Sequence, residues 1–309
     1  MTTVTTVRRS SLAALAALLA GACASSPRTM STTGTTSTAR PGGSPTPAQG
    51  AAAASALPPG ATEAAARLQA SPRHGEYVMI PVPGGAAADS VRAWVVYPQR
   101  STKAPVVVVV QEIFGLSTWI RAVADQLAAD GFIAVAPDLL TGYAPPGAPD
   151  SVNVAVTRQL DPAQVQRRVA AAGAYGMGLP AGEARYGVVG FCWGGSTTFQ
   201  HAVFAAQNNT PGFGAGVVYY GSAPAPEEVA QIRAPLLGLF AENDARVNAT
   251  IPRADSTLRA NGRPHEFTTF GGAGHGFLRQ QDGQNGANRT ATQQAWPRTV
   301  AWFRQHLGG

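Results

Sequence analysis

Two residue types are nearly absent from this chain of 309 residues, and each scarcity excludes a class of protein. Cys23 and Cys192 are the only cysteines, so the chain is not a scaffold held together by several disulfides. Lys103 is the only lysine, and the arginines are scattered singly or in pairs. Although the formal net charge is +6, this scatter predicts a mildly basic surface and no binding to nucleic acid.

The most apolar stretch of the leader, residues 12–21, is too short to cross a membrane comfortably. It follows Arg8-Arg9 and ends in small residues before Cys23. This order predicts an export signal, and small residues ending at a cysteine resemble the bacterial lipobox, in which the cysteine is lipidated. Because Ala20 replaces the usual leucine, a cleaved signal without lipid is the alternative. We expect residues 1–23 to direct the protein to the bacterial cell envelope, periplasmic or membrane-anchored.

Residues 24–70 are rich in Ser, Thr, Pro and Ala and have few large apolar side chains. Such a segment cannot bury enough surface to offset the entropy of ordering, so we predict a disordered tether, with a short helix at 61–70 as the alternative. Residues 71–309 are the right length for one large α/β domain. Hydrophobic residues make up 45% of the chain, which is ample for its core.

Strands and helices alternate in the predicted domain. Val106 to Val110 is an unbroken β-branched run, typical of a central strand buried on both faces. The other predicted strands are 77–82, 91–97, 132–136, 187–190, 217–220, 235–241 and 266–270. The predicted helices are 117–130, 161–176, 193–207, 251–260 and 293–306. This alternation predicts an α/β fold with a mostly parallel sheet and helices on both faces.

The strongest local signal is Gly-Phe-Cys-Trp-Gly-Gly at residues 190–195, between a predicted strand and a predicted helix. The pattern is that of the nucleophile elbow of the α/β-hydrolase fold, with Cys192 in place of the usual serine. The turn is so sharp that its flanking positions require glycine. We expect the helix N-terminus beneath Cys192 to favour the reactive thiolate. A buried structural cysteine is the alternative, and Ser196 is the next candidate for a nucleophile.

Partners for the nucleophile follow in the order that this fold uses. Asp244 comes after the strand 235–241, and His275 comes after the strand 266–270. In this arrangement His275 takes the thiol proton and later assists the hydrolytic water, while Asp244 orients the imidazole. Glu242 is a weaker alternative for the acid.

A further cluster, Gln-Glu-Ile-Phe-Gly at residues 111–115, follows the central strand. The fold builds its oxyanion hole from a backbone N–H in this loop and the N–H after the nucleophile, which nominates Ile113 and Trp193. Glu112 places a carboxylate beside the predicted nucleophile, unless it is only an acidic residue at a helix entry.

Several motifs in order resemble the dienelactone hydrolases, or carboxymethylenebutenolidases, over about residues 106–307. They are the segment 111–115, Ala-Pro-Asp-Leu at 136–139, the elbow, Asp244, and Gly-His-Gly-Phe at 274–277. The resemblance implies that Cys192, Asp244 and His275 form a catalytic triad and that Glu112 helps to set the ionisation of the thiol.

The resemblance also implies substrate-binding residues. Arg279, four residues after His275, matches a family arginine that contacts the substrate carboxylate. Arg158 lies near the place of a second family arginine, and Phe114 is a further expected substrate contact.

Together these features predict a hydrolase of carboxylic esters that cleaves lactones or small esters through an acyl-enzyme, without metal or cofactor. The expected partners are a small-molecule substrate and, through a lipid on Cys23, a membrane; we expect a monomer. A broad carboxylesterase or thioesterase is the alternative, followed by a non-catalytic binding protein of the envelope.

Overall fold

The structure is a computed structural model that describes residues 57–84 and 89–308. The predicted signal peptide, the lipidation candidate Cys23 and most of the predicted tether lie outside these residues. Within the described ranges, no helix combines the length and apolar character needed to cross a membrane.

Eight strands of the described chain form one sheet, in the spatial order β1-β2-β4-β3-β5-β6-β7-β8. Strand β2 runs antiparallel to its neighbours β1 and β4, and all pairs from β4 to β8 are parallel. The strands are β1 (Gly75–Pro81), β2 (Ser90–Val96), β3 (Ala104–Val110), β4 (Ile133–Pro137), β5 (Gly182–Phe191), β6 (Phe213–Tyr219), β7 (Leu236–Asn243) and β8 (His265–Gly274).

Helices cover both faces of this sheet. They are α1 (Ala64–Gln69), α2 (Thr118–Ala129), α3 (Asp150–Thr157), α4 (Pro162–Gly178), α5 (Trp193–Asn208), α6 (Pro226–Val229), α7 (Ala245–Asn248), α8 (Ile251–Ala260) and α9 (Ala287–Leu307), with a 3-10 turn at Gln284–Gly286. Because the strands from β4 to β8 are parallel, their carboxyl ends and the segments that follow them lie at a single edge of the sheet.

The central strand β3 shows why the core has two halves. All seven of its residues are buried. Val107 and Val109 pack in the cluster that contains α2 and α9, whereas Val106, Val108 and Val110 pack in the cluster that contains α4. Because successive side chains of a strand point to opposite faces, an unbroken valine run is the expected sequence for a strand covered on both sides.

The predicted mostly parallel sheet with helices on both faces is confirmed, and so are two predicted helix starts. The Ser117 side chain accepts a hydrogen bond from the Ile120 N–H (3.3 Å), and Asp161 caps α4 by accepting from the N–H groups of Ala163 and Gln164. Helix α3 was not predicted, because it lies in a segment whose prolines indicated a loop.

The predicted end of the tether at residue 70 is wrong, and the alternative of a short helix within residues 61–70 is confirmed by α1. From Leu57 the chain packs against the domain, and Ala64 of α1 is 1% exposed. The carbonyls of Pro58 and Pro59 accept buried hydrogen bonds from side chains of the domain. Order in this segment depends on backbone acceptors and small side chains, which leave no trace in a count of large apolar residues.

Candidate active site

Cys192 occupies a sharp turn between β5 and α5. Its backbone angles, φ 57° and ψ −115°, lie in a region that non-glycine residues rarely adopt. Such strain persists only where the surrounding structure enforces it. The elbow predicted from residues 190–195 therefore has the expected geometry, with the thiol side chain at the N-terminus of a 16-residue helix.

The glycines around Cys192 are required by close packing. A Cβ added to Gly190 would lie 1.9 Å from the carbonyl oxygen of Gly194, and one added to Gly194 would lie 2.4 Å from that of Gln111. Both distances are far below any possible contact with a carbonyl oxygen. Only glycine allows the first turn of α5 to press against the end of β3, which brings the elbow beside the loop that follows Gln111.

Asp244 and His275 meet at the ends of β7 and β8. The His275 Nδ1 lies 2.5 Å from Asp244 Oδ2, and Asp244 is only 8% exposed. The other carboxylate oxygen accepts from the Val247 N–H (3.4 Å) at the start of α7. Since a carboxylate can only accept here, Nδ1 carries the proton and Nε2 is left as the basic nitrogen. Glu242 is exposed and accepts from the Gly272 N–H (2.8 Å) instead, so the structure does not place it on the imidazole.

Residues at the end of β6 contact both the nucleophile and the imidazole. The Cys192 N–H donates to the Tyr219 carbonyl (3.1 Å), which holds the elbow against β6. The next residue, Tyr220, has a positive φ of 38° and packs edge-on against the His275 ring, with the ring centroids 5.1 Å apart. Its hydroxyl is buried and has no hydrogen-bond partner among the described residues. Tyr220 was not among the residues predicted from the sequence.

Glu112 and Arg279 form an ion pair in the same site. The Arg279 Nε lies 3.3 Å from Glu112 Oε2, and the guanidinium carbon lies 4.9 Å above the ring of Phe114. Glu112 is 4% exposed. Burial raises the pKa of Glu112 to about 7. The charge of Arg279 lowers this pKa but only partly offsets the loss of solvent, and the charge of Asp150 raises it further.

The thiol of Cys192 is neutral in this resting arrangement. Burial, and after it the charge of Glu112, raises the pKa of Cys192 to about 11, although a hydrogen bond from the Trp193 backbone lowers it. The expectation that the helix N-terminus favours the thiolate is therefore wrong for the resting site. Removal of solvent and a neighbouring carboxylate outweigh the helix dipole.

Helix α3 holds the loop after β3. Asn153 donates from its side-chain amide to the Phe114 carbonyl (3.0 Å), and the Thr157 hydroxyl donates to the Ile113 carbonyl (3.2 Å). The Glu112 carbonyl accepts from the Gly115 N–H (3.4 Å). These bonds fix the peptide planes of the loop. Asn153 and Thr157 were not predicted, because nothing in the sequence links residues about forty positions apart.

The two N–H groups nominated for an oxyanion hole have different surroundings. Among the residues described, the Ile113 N–H donates to no protein acceptor. The Trp193 N–H begins α5 and bonds to the thiol of Cys192. One of the two donors is therefore unoccupied in the resting site, and the other points at the nucleophile.

A cavity of about 480 Å³ lies beside the loop after β3. Phe114 lines it together with Arg92, Arg121 and Asp150, while Cys192 and His275 do not. Arg158 is exposed at the C-terminal end of α3, and its side chain makes no hydrogen bond or ion pair with another described residue. Its role in binding substrate stays a prediction. No cluster of three or more His, Cys, Asp or Glu side chains suited to a metal ion occurs in the described part of the chain.

Comparison with known proteins places the chain in a family. Residues 91–307 match the model of the dienelactone hydrolase family. A "Putative carboxymethylenebutenolidase" of Methylorubrum extorquens is 33% identical over 244 residues, which cover 74% of this chain and 80% of the relative. A "Carboxymethylenebutenolidase homolog" of Mus musculus is 31% identical over 67% of this chain and 86% of its own length.

A solved structure supports the fold independently. The crystal structure titled "Putative Dienelactone Hydrolase" from Klebsiella pneumoniae superposes with a TM-score of 0.64 and 24% sequence identity. It covers 75% of this chain and 100% of its own chain. At this identity the likeness bears on the fold alone, and it confirms the predicted α/β-hydrolase arrangement. Taken with the family match and the curated relatives, it leads to one conclusion: the chain belongs to the dienelactone hydrolase family and is a carboxylic ester hydrolase.

Proposed function

We propose that the protein hydrolyses small lactones or esters through a thioester formed on Cys192, with His275 and Asp244 completing a catalytic triad. The observation that carries this proposal is the 2.5 Å contact between His275 Nδ1 and Asp244 Oδ2 at the strand ends, together with a cysteine held on a strained elbow at the end of β5. A lone buried cysteine would need neither the strain nor the oriented imidazole.

The proposed reaction has two halves. The thiolate of Cys192 attacks the substrate carbonyl, and the N–H groups of Ile113 and Trp193 stabilise the oxyanion that forms. When the carbonyl re-forms, the bond to the alcohol oxygen breaks, and this oxygen takes the proton that Glu112 has drawn from the thiol. A water molecule then gives a proton to His275 and attacks the thioester. The bond between carbon and sulfur breaks, the carboxylic acid leaves, and the sulfur of Cys192 takes the proton from His275.

Activation of the thiol depends on the substrate in this proposal. With pKa values of about 11 for Cys192 and about 7 for Glu112, proton transfer from the thiol to the carboxylate is unfavourable in the resting site. A substrate carboxylate would compete with Glu112 for Arg279, because a guanidinium binds carboxylates through a planar pair of donors. Glu112, released from the ion pair, becomes more basic and draws the proton from the thiol.

The proposed substrate class is therefore a small lactone or half-ester that carries its own carboxylate. The Arg279 side chain is 26% exposed, so part of it is open to solvent. Phe114 lies beneath that guanidinium and also lines the neighbouring cavity, which suits it to the apolar part of such a substrate. Arg158, at the C-terminal end of α3, is a further candidate.

The proposed location is the bacterial cell envelope. It depends on residues 1–23, where the basic pair, the apolar run and the small residues before Cys23 have the order of an export signal with a lipidated cysteine. We propose that the enzyme works outside the cytoplasm, held at a membrane through Cys23.

The test is hydrolysis of a panel of lactones and p-nitrophenyl esters by the wild type and by Cys192→Ala. Alanine fits the same turn, so the variant should fold normally and lose several powers of ten in kcat. Near-normal turnover of the variant would contradict the thiol mechanism and direct attention to Ser196. Faster hydrolysis of neutral esters than of acidic ones would favour a broad carboxylesterase. If the wild type hydrolysed none of these substrates, the result would favour the alternative of a non-catalytic binding protein.

A further inference from the structure

Residues 57–63, called the strap here, bind the loop after β8 through backbone groups. The Pro58 carbonyl accepts a buried hydrogen bond from the Gln281 side chain (2.9 Å), and the Ala61 N–H donates to the Arg279 carbonyl (2.9 Å). The Arg279 N–H in turn donates to the Gly276 carbonyl (2.9 Å). The backbone of Arg279 is thus held from both sides, once by its own turn and once by the strap.

The strap also binds α2, on the other side of the site. The indole N–H of Trp119 donates to the Pro59 carbonyl (3.0 Å), and Trp119 is 2% exposed. Its ring packs edge-on against Phe191, the residue before Cys192, with the centroids 5.1 Å apart. Trp119 belongs to the first turn of α2, directly after the loop that carries Glu112.

We infer that the strap positions Arg279 for substrate, by fixing the loop after β8 against α2. Three hydrogen bonds, each at a different residue of the strap, join these elements, and two of them are buried. The guanidinium of Arg279 must reach Glu112 at 3.3 Å and Phe114 at 4.9 Å, and both partners belong to the loop next to α2. A shift of one loop against the other would change both distances at once.

Packing supports the same conclusion. A Cβ added to Gly60 would lie 3.5 Å from the Arg279 carbonyl oxygen and 3.8 Å from Gln281 Cβ, so the strap packs closely against the loop at Gly60. Ala64 of α1 is buried in the core cluster that contains Trp119. The strap lies well before residue 91, where the match to the family model begins. It is therefore a feature of this chain beyond the matched part of the family.

The inference rests on the proposed role of Arg279, and the experiment separates the two. Gln281→Met and Trp119→Phe, made in the full-length protein, each remove one donor to the strap and keep most of the side-chain volume. Trp296→Phe is the matched control: its indole N–H is also a donor (2.9 Å, to Asp130), it is 1% exposed, and it lies in the same core cluster, but its partner is at the far end of α2.

We expect each strap variant to lose about fivefold to tenfold in kcat/KM for acidic esters, mainly through KM, and less than about twofold for neutral esters. Amide hydrogen exchange at residues 276–281 should rise about tenfold in both. The control should show neither change at a similar loss of thermal stability. Deletion of residues 57–63 should abolish the preference for acidic esters, and the point variants decide the matter if the deletion does not fold.

Two results would overturn the role of the strap. One is exchange at residues 276–281 that is unchanged in both strap variants. The other is equal losses of kcat/KM in the strap variants and in Trp296→Phe, because the effect would then follow from general destabilisation. Exchange does not depend on the reaction, so it tests the strap even if the wild type shows no thiol-dependent hydrolysis. That last result would refute the proposed function alone.

Discussion

Replacing Tyr220 by phenylalanine should make the protein more stable and less active. The Tyr220 side chain is fully buried, and its hydroxyl has no hydrogen-bond partner among the described residues. Its pKa lies well above 10, chiefly because of burial and then because of Glu112 and Cys192, so the hydroxyl stays protonated. The Tyr220 hydroxyl is therefore a hydrogen-bond donor close to Cys192 and Glu112, the two groups that we expect to exchange a proton.

The sign of the stability change follows from this unpaired hydroxyl. Burying a polar group without a partner costs about 1–3 kcal/mol in proteins, and phenylalanine removes that cost while keeping the ring. The contacts of the ring with His275 and Phe277, at centroid distances of 5.1 and 5.2 Å, are unchanged. We therefore expect Tyr220→Phe to raise the free energy of unfolding by about 1 kcal/mol.

The neighbouring tyrosine supplies the matched control. Tyr219 is equally buried, but its hydroxyl shares a hydrogen bond with the Thr299 hydroxyl at 2.7 Å. Tyr219→Phe should lower the free energy of unfolding by about 1 kcal/mol, since a satisfied bond is lost and the Thr299 hydroxyl keeps only its bond to the Ala295 carbonyl (3.2 Å). Urea unfolding of the three proteins gives both values.

Activity should change in the opposite direction. If the Tyr220 hydroxyl donates to the thiolate once Cys192 is ionised, Tyr220→Phe loses that bond only in the reacting state. We expect kcat/KM to fall about tenfold and the pH at which Cys192 reacts with a thiol reagent to rise. A variant that is destabilised as much as Tyr219→Phe would show that the hydroxyl has a partner in the resting protein. An unchanged thiol pH profile would refute its action on Cys192.

Three further predictions concern charge and processing. Arg279→Met should cost about 1.5–3 kcal/mol in transition-state binding for acidic substrates and much less for neutral ones, and equal losses would make Arg279 a structural residue. Burial raises the pKa of Glu112 from 4.5 to about 7, so the stability that its protonated form contributes is full below pH 4.5 and is lost as the pH rises through 7. At about 1.36 kcal/mol for each pKa unit, Glu112→Gln should therefore gain roughly 2–3 kcal/mol on the wild type between about pH 5 and pH 8 in urea unfolding, and a constant difference would contradict the raised pKa. Intact-mass measurement of protein from the native envelope should show residues 1–22 absent and lipid on Cys23, whereas an unmodified Cys23 would leave a plain signal peptide.

The sequence predicted the features that local patterns encode. The valine run 106–110 predicted the central strand, and the glycines of residues 190–195 predicted a turn that only glycine permits. The order of Asp244 and His275 after successive strands was enough to predict that they meet. The first two signals depend on a repeat or a spacing within a short stretch of chain, and the third depends on the order of the motifs along the fold.

The sequence did not predict what depends on distant backbone groups. Every residue has a carbonyl, so nothing marks those of Pro58 and Pro59 as acceptors for Trp119 and Gln281. Helix α3 was missed for a related reason, because it is short and begins after a proline-rich stretch. The pKa of the thiol was misjudged because the helix dipole can be inferred from the motif, whereas the degree to which the fold buries Cys192 cannot.

The elbow has an evolutionary consequence, because it fixes where the nucleophile lies without depending on which atom, sulfur or oxygen, the nucleophile is. The contacts that force the turn involve the glycines and the backbone of residue 192, and none of them involves the sulfur. A single codon change to serine would thus keep the position of the nucleophile. It would leave a much less acidic hydroxyl beside Glu112, whose pKa of about 7 suits a thiol. A lineage that exchanges sulfur for oxygen at residue 192 is therefore expected to change residue 112 as well.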